Sequence, residues 1–205
     1  MNKIVERYNK LADTLDNLSC GKVIEYANIQ DADVCLDLGC GRGGDTFEMA
    51  RLTGNKGKAI GIDLSEKMIE KAKLFANENN INNADFILSD MQNLPLDNET
   101  FDICISNCVL NHIKDKEGIW HEIFRVLKKG GHFVISDIYA IDEIPDHIAN
   151  DEMLIAECWA GAINKNDYIK YIEKAGFTNV EIIKESTPYL KKDFYIASFT
   201  IKGHK

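Results

Sequence analysis

The chain has 205 residues, of which 45% are hydrophobic and 28% are charged, a composition typical of a folded globular protein rather than a disordered one. Its 24 basic and 33 acidic residues give a formal net charge of −9, which disfavours a protein that coats nucleic acid or an anionic membrane. No apolar run is long enough to cross a bilayer, and the N-terminal segment lacks the continuous apolar stretch of a signal peptide. We therefore expect a cytoplasmic protein that forms a single domain over residues 1–205.

The predicted elements alternate between helices and strands. Residues 1–20 are predicted to form an amphipathic helix, because apolar residues recur every three or four positions. Short apolar runs then predict strands at 33–38, 58–63, 86–90, 101–106, 132–137, 180–183 and 194–201. Helices are predicted between them at 45–53, 65–76, 119–127 and 167–175. This alternation predicts an α/β fold with a mostly parallel sheet that helices cover on both faces.

The segment from residue 138 to residue 164 is too long to be a simple connection between a strand and the next helix. Long insertions at the end of a strand are usually functional. We therefore interpret residues 138–164 as an inserted lid over a substrate site.

The six cysteines are spread along the chain without any CxxC pair, so the sequence contains no zinc-knuckle or thioredoxin motif. In a cytoplasmic protein these thiols are expected to be reduced rather than joined in disulfides. Each one then acts as a small buried side chain or as a soft ligand. Cys35 and Cys104 lie inside predicted strands and are expected in the core, whereas Cys40 lies in a glycine-rich loop.

That loop follows the first predicted strand. Residues 39–44 read Gly-Cys-Gly-Arg-Gly-Gly, which matches GxGxxG, and Asp63 follows about twenty residues later, as in dinucleotide-binding proteins. Ligands of open parallel sheets bind at the carboxyl ends of the strands, where Asp37, Asp90 and Asp137 also lie. This pattern predicts a nucleotide-type ligand at that edge of the sheet.

The GxGxxG pattern alone also fits a nicotinamide cofactor. Two features favour a cationic adenosine ligand instead. Asp37 stands two residues before the loop, where an anion repels a pyrophosphate and attracts a cation. Asp90 and Met91 suit an adenine edge, because a carboxylate accepts a hydrogen bond from the exocyclic amine.

Four segments together resemble the successive motifs of class I S-adenosylmethionine-dependent methyltransferases. They are LDLGCGRGG at 36–44, GIDLS at 61–65, SDM at 89–91 and RVLKKGG at 125–131. The resemblance covers the chain from residue 34 onward. It implies a Rossmann-like fold with a seven-stranded, mostly parallel sheet whose last strand is antiparallel, and it implies S-adenosylmethionine as the cofactor.

The resemblance also implies which residues hold that cofactor. The backbone from Gly39 to Gly41 is expected beside the methionine moiety, Asp63 at the ribose hydroxyls, and Asp90 with Met91 at the adenine. Tyr8, on the N-terminal helix, is expected to help close the pocket. The full set of expected cofactor-binding residues is Tyr8, Asp37, Gly39, Cys40, Gly41, Asp63, Leu64, Asp90, Met91 and Asn107.

Within this class, two further segments are similar to arsenite methyltransferases. They are Ser-Asn-Cys-Val at 106–109 and Glu-Cys-Trp-Ala-Gly-Ala at 157–162. The resemblance implies that Cys108 and Cys158 are the catalytic ligands that hold trivalent arsenic near the methyl donor. Soft thiolates suit a thiophilic metalloid, and bound arsenic(III) keeps a lone pair that needs no general base to attack a methyl group.

The third ligand of a trigonal arsenic site stays open. Thr46 stands just after the glycine-rich loop, where the resemblance leads us to expect a third cysteine. Cys20 and a free thiol such as glutathione are the remaining candidates.

Two other functions stay open as alternatives. One is a methyltransferase of a small organic acceptor, in which Cys108 and Cys158 are structural and His112 is a candidate base. The other is a non-catalytic protein that binds S-adenosylmethionine or arsenic. In every case the expected partner is a small molecule or metalloid, and neither a nucleic acid nor a membrane.

Overall fold

The computed structural model describes residues 3–14 and 21–205. Its helices are α1 (Lys3–Leu11), α2 (Ile24–Ala27), α3 (Gly44–Leu52), α4 (Glu66–Glu78), α5 (Lys116–Val126), α6 (Asp146–Ala149), α7 (Glu152–Ile155) and α8 (Lys165–Lys174). Its strands are β1 (Val34–Leu38), β2 (Lys58–Asp63), β3 (Ala84–Leu88), β4 (Phe101–Asn107), β5 (Leu127–Ala140), β6 (Thr178–Glu185), β7 (Tyr189–Lys191) and β8 (Phe194–His204). Short 3₁₀ turns occur at Gly54–Lys56, Leu110–His112 and Trp159–Gly161.

The strands form one sheet in the order β3-β2-β1-β4-β5-β8-β6, and β7 pairs with β8 outside this path. Strands β1 to β5 are parallel, whereas β8 is antiparallel to β5, β6 and β7. The prediction of a mostly parallel, Rossmann-like sheet with an antiparallel last strand is confirmed. In the part of the chain that the structure describes, the sheet has eight strands instead of the expected seven, because Tyr189–Lys191 turns back to form a short hairpin with β8.

The largest difference in element bounds is at β5. The sequence predicts a strand at 132–137 after a basic, glycine-containing helix end, but the strand runs from Leu127 to Ala140. Leu127 pairs with Phe101 of β4, and both side chains are fully buried. Burial of two large apolar side chains outweighs the local stop signal, since each contributes roughly 1.5–3 kcal/mol.

Helices cover both faces of the sheet, and the alternation of side chains along each strand assigns its residues to two cores. In β1, Cys35 packs into one core, whereas Leu36 and Leu38 pack into the other. In β4, Cys104 shares the second core with Trp120 of α5. Cys35 and Cys104 are both completely buried, as their positions inside predicted strands lead us to expect.

A third, smaller cluster lies over the end of β5, within the segment predicted as a lid. Helices α6 and α7 and the turn at Trp159–Gly161 belong to this segment, and Ile155 and Trp159 pack there against Ile196 of β8. Cys108 and Cys158 are members of the same cluster. The insertion therefore covers the carboxyl end of β4 rather than extending away from the sheet.

Helix α1 lies across the same edge of the sheet, between α4 and α7. Ser65, the N-cap of α4, donates from Oγ to Asn9 Oδ1 at 2.7 Å, and Asp13 forms ion pairs with Lys71 and Lys67. The predicted helix at 1–20 is thus a helix over Lys3–Leu11, and its predicted end at residues 15–20 lies outside the described residues. None of the helices in the described part of the chain has the length and apolar character needed to cross a membrane.

Candidate active site

A cleft opens at the carboxyl ends of the parallel strands, beneath α1. The residues expected to hold the cofactor line this cleft, except for Asp37 and Cys40. Those in the lining are Tyr8, Gly39, Gly41, Asp63, Leu64, Asp90, Met91 and Asn107.

Asp63, at the end of β2, is fixed by two backbone donors. Its Oδ2 accepts a hydrogen bond from Gly41 N at 2.9 Å, and its Oδ1 accepts one from Ser65 N at 2.8 Å. Burial raises the pKa of this carboxyl group, while the N–H groups of Ser65 and Gly41 act in the opposite direction. Each carboxylate oxygen has a further lone pair, so Asp63 can still accept the hydroxyls of a ribose.

The glycine-rich loop requires glycine for two different reasons. At Gly39, with φ +74°, an added Cβ would overlap the side chain of Val109, so the close approach of β1 to the segment after β4 depends on the missing side chain. At Gly41, with φ +53°, a Cβ would meet nothing within 4 Å. The backbone at Gly41 therefore borders open space in the cleft, where a ligand can approach it closely.

Asp37 does not line the large cleft. It is buried beneath the loop and accepts a hydrogen bond from Thr46 Oγ1 at 2.6 Å. Burial, reinforced by the nearby charge of Asp45, raises the pKa of Asp37 to about 8. The group is therefore largely protonated at neutral pH instead of presenting an anion, and it borders a second cleft on the other side of the loop together with Asp45 and Asn107.

Cys40 and Asp90 differ in the exposure of their side chains to the cleft. The Cys40 side chain packs under the loop against Gly61 of β2 and is almost fully buried, so only its backbone faces the site region. Asp90 is exposed in the turn after β3, where its Oδ1 accepts from Gln92 N at 3.0 Å, and Met91 beside it is buried. Asp90 and Met91 thus form a polar and an apolar wall at the same end of the cleft.

Cys108 and Cys158 lie together although 50 residues separate them in the sequence. Cys108 directly follows β4 and also lines the large cleft, and Cys158 immediately precedes the turn at Trp159–Gly161. The two Sγ atoms and a carboxylate oxygen of Asp137 all lie within 4.8 Å of one another. The Cys158 thiol donates to the Cys108 carbonyl oxygen at 3.2 Å and lies 3.7 Å from Asp137 Oδ1. Burial raises the pKa of the Cys158 thiol well above its ordinary value.

Both cysteines have backbone conformations that side chains rarely adopt. Cys108 has φ +57°, and Cys158 has φ +74° with ψ −40°. Such a conformation costs roughly 1–3 kcal/mol and persists only where neighbouring structure enforces it. Here Cys108 N donates to Ser136 O of β5, and Cys158 N donates to Ile155 O of α7, each at 2.8 Å. Strain of this kind concentrates at functional sites, and sequence analysis had no signal for it.

A buried polar network surrounds the two cysteines, of which Cys158 is a free thiol. Asp137 Oδ1 accepts from Asn111 Nδ2 at 2.9 Å and from Ile138 N at 2.8 Å, while Asp137 Oδ2 and the Tyr168 hydroxyl have no hydrogen-bond partner. Burial raises the pKa of Asp137 to about 6. The Lys116 ammonium group, which interacts electrostatically with Asp137, donates to three backbone carbonyls, and burial lowers its pKa to about 8. Of these groups, the sequence pointed to Asp137, by its place at a strand end.

Hydrogen bonds at both ring nitrogens hold His112 in one tautomer. Nδ1 lies 2.8 Å from the carbonyl oxygen of Ile155, which only accepts hydrogen bonds, so Nδ1 carries the proton. Nε2 therefore accepts from the Tyr8 hydroxyl at 2.9 Å. Burial lowers the pKa of His112 to about 4. A base this weak and this fully engaged is poorly suited to deprotonate an organic acceptor at neutral pH.

Comparison with known proteins agrees with this geometry. A family model described as a methyltransferase domain matches residues 29–176. The chain therefore belongs to the methyltransferase domain family, and its sheet and cleft are those of the class I S-adenosylmethionine-dependent methyltransferases. S-adenosylmethionine is the cofactor of this class. The cleft fits it, because Asp63 is fixed with free acceptor capacity and the Gly41 backbone borders open space.

Among its relatives the chain is similar to arsenite methyltransferases. It is 34% identical to the arsenite methyltransferase of Halobacterium salinarum, over 95% of this chain and 52% of the relative. It is 36% identical to that of Mus musculus, over 69% of this chain and 40% of the relative. The chain thus spans about half the length of the curated relatives it matches. A solved arsenic(III) S-adenosylmethionine methyltransferase from Chlamydomonas reinhardtii superimposes with a TM-score of 0.80 at 29% identity, over 98% of this chain and 73% of that one.

Proposed function

We propose that this chain catalyses S-adenosylmethionine-dependent methylation of trivalent arsenic held by Cys108 and Cys158. The observation that carries the proposal is the convergence of two cysteine sulfur atoms from separate segments at one point beside the cofactor cleft. Cys108 belongs to both sites, since it lines the cleft and contacts Cys158. The similarity to arsenite methyltransferases supports the choice of substrate.

The two cysteines bind and orient the substrate. When arsenous acid, As(OH)₃, reacts with the two cysteines in their reduced thiol form, which a phosphine reductant supplies, two As–S bonds form, two As–O bonds break and two water molecules leave. A protonated thiol supplies the proton of each departing water, so the raised pKa of Cys158 is compatible with this reaction. Softness favours sulfur over oxygen as the donor to arsenic. The rigid backbone at both cysteines then fixes where the arsenic atom lies relative to the cleft.

The residues around the cleft hold the cofactor. In this proposal Asp63 accepts the ribose hydroxyls, Asp90 and Met91 contact the adenine, and the Gly39–Gly41 backbone lies beside the methionine moiety. When bound, S-adenosylmethionine supplies an electrophilic methyl group on its sulfonium. Placing a substrate beside such a group in a fixed orientation accounts for much of the rate gain available to an enzyme, up to about 7–11 kcal/mol in well-aligned systems.

No general base is assigned, because arsenic(III) retains a lone pair after it binds sulfur. The state of His112 agrees with this assignment, since its pKa is about 4 and both ring nitrogens are already hydrogen-bonded. A small organic acceptor with an ionisable hydroxyl would need a base, and His112, the base candidate that the sequence offers, is poorly suited to that role. This contrast favours arsenic over the organic alternative.

In this proposal residues 138–164 act as the lid that keeps water from the arsenic. The segment places α7 and Trp159 over the thiols, and Trp159 is fully buried there. A dry site strengthens the electrostatic interactions within it and prevents competing hydrolysis.

The third arsenic ligand is a cysteine or an external thiol. Thr46 does not supply it, because Thr46 is buried and bonded to Asp37. Cys20 lies outside the described residues, but the next residue, Gly21, has its N–H and C=O both bonded to the side chain of Asn107, which precedes Cys108. We therefore propose Cys20 as the third ligand, with glutathione as the alternative.

The proposal is tested by measuring S-adenosylhomocysteine formation with and without arsenite, in the presence of a phosphine reductant and then of glutathione. We expect arsenite-dependent product from the natural sequence and less than about 1% of that rate from Cys158→Ala or Cys108→Ala. Cys158→Ala should retain cofactor affinity within about twofold, because Cys158 does not line the cleft. Cys35→Ala is the matched control, since it removes a buried thiol from a core away from the site.

Three outcomes would contradict the proposal in different ways. Product formation without arsenite would indicate an organic acceptor. Full activity of Cys158→Ala would remove that thiol from the site. Cofactor and arsenite binding without any product would indicate a binding protein. Cys20→Ser, assayed with and without glutathione, separates the two candidates for the third ligand.

A further inference from the structure

The lid, residues 138–164, is tied together at its base. Ala140 N donates to Ile163 O at 2.9 Å, and Ala140 also forms a parallel bridge with Asn164. The interior of the lid carries Cys158, a free thiol that is 6% exposed. Because the base is fixed, contacts between the interior of the lid and its neighbours determine how much of the time Cys158 is open to solvent.

The hairpin of β7 and β8 is bonded to the base of the lid. Tyr195 N donates to Asp142 Oδ2 at 2.7 Å, and Ile141 N donates to Tyr195 O at 3.0 Å. These hydrogen bonds join the hairpin backbone to the first residues that follow β5. The hairpin therefore has a fixed position relative to the base of the lid.

The tip of this hairpin contacts the interior of the lid through one tryptophan. The ring of Phe194 is stacked on that of Trp159, with 6.4 Å between the ring centroids and 22° between the ring planes. Lys192 Nζ lies 5.3 Å from the centroid of the Trp159 ring. Both distances are within the range of attractive contacts, which extends to about 7 Å for an aromatic pair and to about 6 Å for a cation and a ring.

Trp159 connects these contacts to the thiol. It directly follows Cys158, is 1% exposed, and packs in the same cluster as Cys158 and Ile196 of β8. Phe194 packs against this cluster from the hairpin and supplies part of its apolar cover. A displacement of Trp159 from this cover therefore moves the adjoining Cys158.

The backbone at Lys192 gives independent support for a role of its side chain. Lys192 is the first residue of the two-residue turn between Lys191 and Phe194, and its φ is +55°. Glycine and asparagine are the usual residues at a hairpin position with positive φ, and a lysine there strains the backbone. A residue that the turn disfavours is thus the one whose side chain reaches the lid.

We propose that Lys192 and Phe194 are positioning residues, which hold the lid closed through Trp159 and thereby control access to Cys158. We call these two residues the latch. Neither of them lines the cofactor cleft, so the latch acts on the site through the lid. That the lid covers the methyl acceptor rests on the proposed function, whereas the contacts of the latch with the lid do not.

Alkylation of Cys158 by iodoacetamide tests the latch. The chain is reduced with a phosphine, freed of the reductant and alkylated, and the peptide that contains Cys158 is followed by mass spectrometry. A buried thiol reacts only when it is transiently exposed, so its rate is proportional to the population with an open lid. The peptides with Cys35 and Cys104 are internal controls, since both thiols are completely buried in the two cores of the sheet.

We expect Phe194→Leu, which keeps apolar bulk and removes the ring, to accelerate alkylation of Cys158 about two- to tenfold. Lys192→Met keeps the aliphatic stem and removes the charge, and it should accelerate the reaction about two- to fivefold. Lys192→Arg should react like the natural sequence, because a guanidinium also binds an aromatic face. Lys73→Met, at an exposed lysine of α4, should leave the rate unchanged. The rates at the two control thiols should stay unchanged in every variant.

Lys192→Gly separates a latch from a residue that only stabilises the turn. Glycine relieves the strain of a positive φ, so the melting temperature should stay the same or rise. The loss of the cation should nevertheless accelerate alkylation of Cys158 as much as Lys192→Met does. A lysine that acted only on the turn would not produce these opposite changes.

Two results would overturn the proposal. One is an equal rate at Cys158 in the natural sequence, Lys192→Met and Phe194→Leu. The other is parallel acceleration at Cys158 and at the control thiols, which would mean that the variants loosen the whole fold. If thermal unfolding shows that Phe194→Leu does not fold, the lysine variants decide.

The latch and the proposed function fail separately, because the alkylation assay contains neither arsenite nor S-adenosylmethionine. Selective acceleration at Cys158 without arsenite-dependent methyl transfer would refute the proposed function and leave the latch intact. Methyl transfer with unchanged alkylation rates would do the reverse.

Discussion

The Tyr8 hydroxyl donates a hydrogen bond to His112 Nε2 at 2.9 Å, across 104 positions of sequence. Tyr8 is on α1, and His112 follows β4, where its other ring nitrogen binds Ile155 of α7. One histidine therefore joins the helix that covers the cofactor cleft to the segment that covers the thiols.

We expect Tyr8→Phe to weaken cofactor binding without disturbing the thiol cluster. The substitution keeps the ring but leaves His112 Nε2 partly buried without a donor, which costs roughly 1–3 kcal/mol. The dissociation constant for S-adenosylhomocysteine should rise about fivefold or more, while arsenite affinity measured without cofactor stays unchanged. Tyr26→Phe is the matched control on α2. An unchanged cofactor affinity in Tyr8→Phe would show that α1 does not close the cleft.

The neutral state of His112 predicts a specific dependence of stability on pH. Its pKa is about 4 in the folded chain and about 6.5 when unfolded. Between pH 4 and pH 6.5 the unfolded chain carries a proton on His112 that the folded chain does not. The contribution of the neutral histidine to the free energy of unfolding is therefore fully present above pH 6.5 and is lost as the pH falls to 4. The difference corresponds to roughly 3 kcal/mol. Asp37 and Asp137 act in the opposite direction, because their pKa values are raised.

The His112 contribution is isolated by comparing the natural sequence with His112→Gln. The free energy of unfolding in urea should decrease more between pH 7 and pH 5 for the natural sequence than for the variant. The two carboxyl groups remain in both proteins and cancel in the comparison. Parallel pH profiles would mean that the histidine titrates normally in the folded state.

Asp63→Asn should weaken cofactor binding about 10–100-fold. The carboxylate accepts from two backbone N–H groups and offers its remaining lone pairs to the ligand, whereas an amide presents an N–H₂ group to one of those donors. A hydrogen bond to a charged group contributes about 1.5–3 kcal/mol. Isothermal titration with S-adenosylhomocysteine measures the effect. Asp85→Asn, which removes an exposed carboxylate paired with Lys58 on the sheet edge, should bind normally.

Gly39→Ala should destabilise the fold more than Gly130→Ala. Both glycines have positive φ, +74° and +81°, so alanine strains the backbone at each by roughly 1–2 kcal/mol. Only at Gly39 does the added Cβ meet Val109, while at Gly130 it meets nothing within 4 Å. The overlap adds about 1–3 kcal/mol. Chemical denaturation measures both, and Val109→Ala should recover part of the loss in Gly39→Ala. Equal destabilisation would mean that the loop moves away from Val109.

The order of strands and helices was accessible from the sequence because it depends on local patterns. Apolar runs and glycine stops located β1 to β4 within a few residues. The same reasoning failed at β5, where pairing of Leu127 with Phe101 extends the strand into a predicted turn. It also missed β7, because three mostly exposed residues carry no periodic signal.

The sequence by itself determined the α/β class, the glycine-rich loop and the residues at strand ends, since parallel strands bring their carboxyl ends to one edge whatever the loops do. It also singled out Cys108 and Cys158 by their segments. Only the tertiary structure decided that Asp37 is buried and largely protonated, that His112 is tied to Tyr8, and that Asp137 adjoins the two thiols. Burial determines the protonation of Asp37, and contacts between residues far apart in sequence determine the positions of His112 and Asp137. Neither burial nor such contacts can be read from the local spacing of residues.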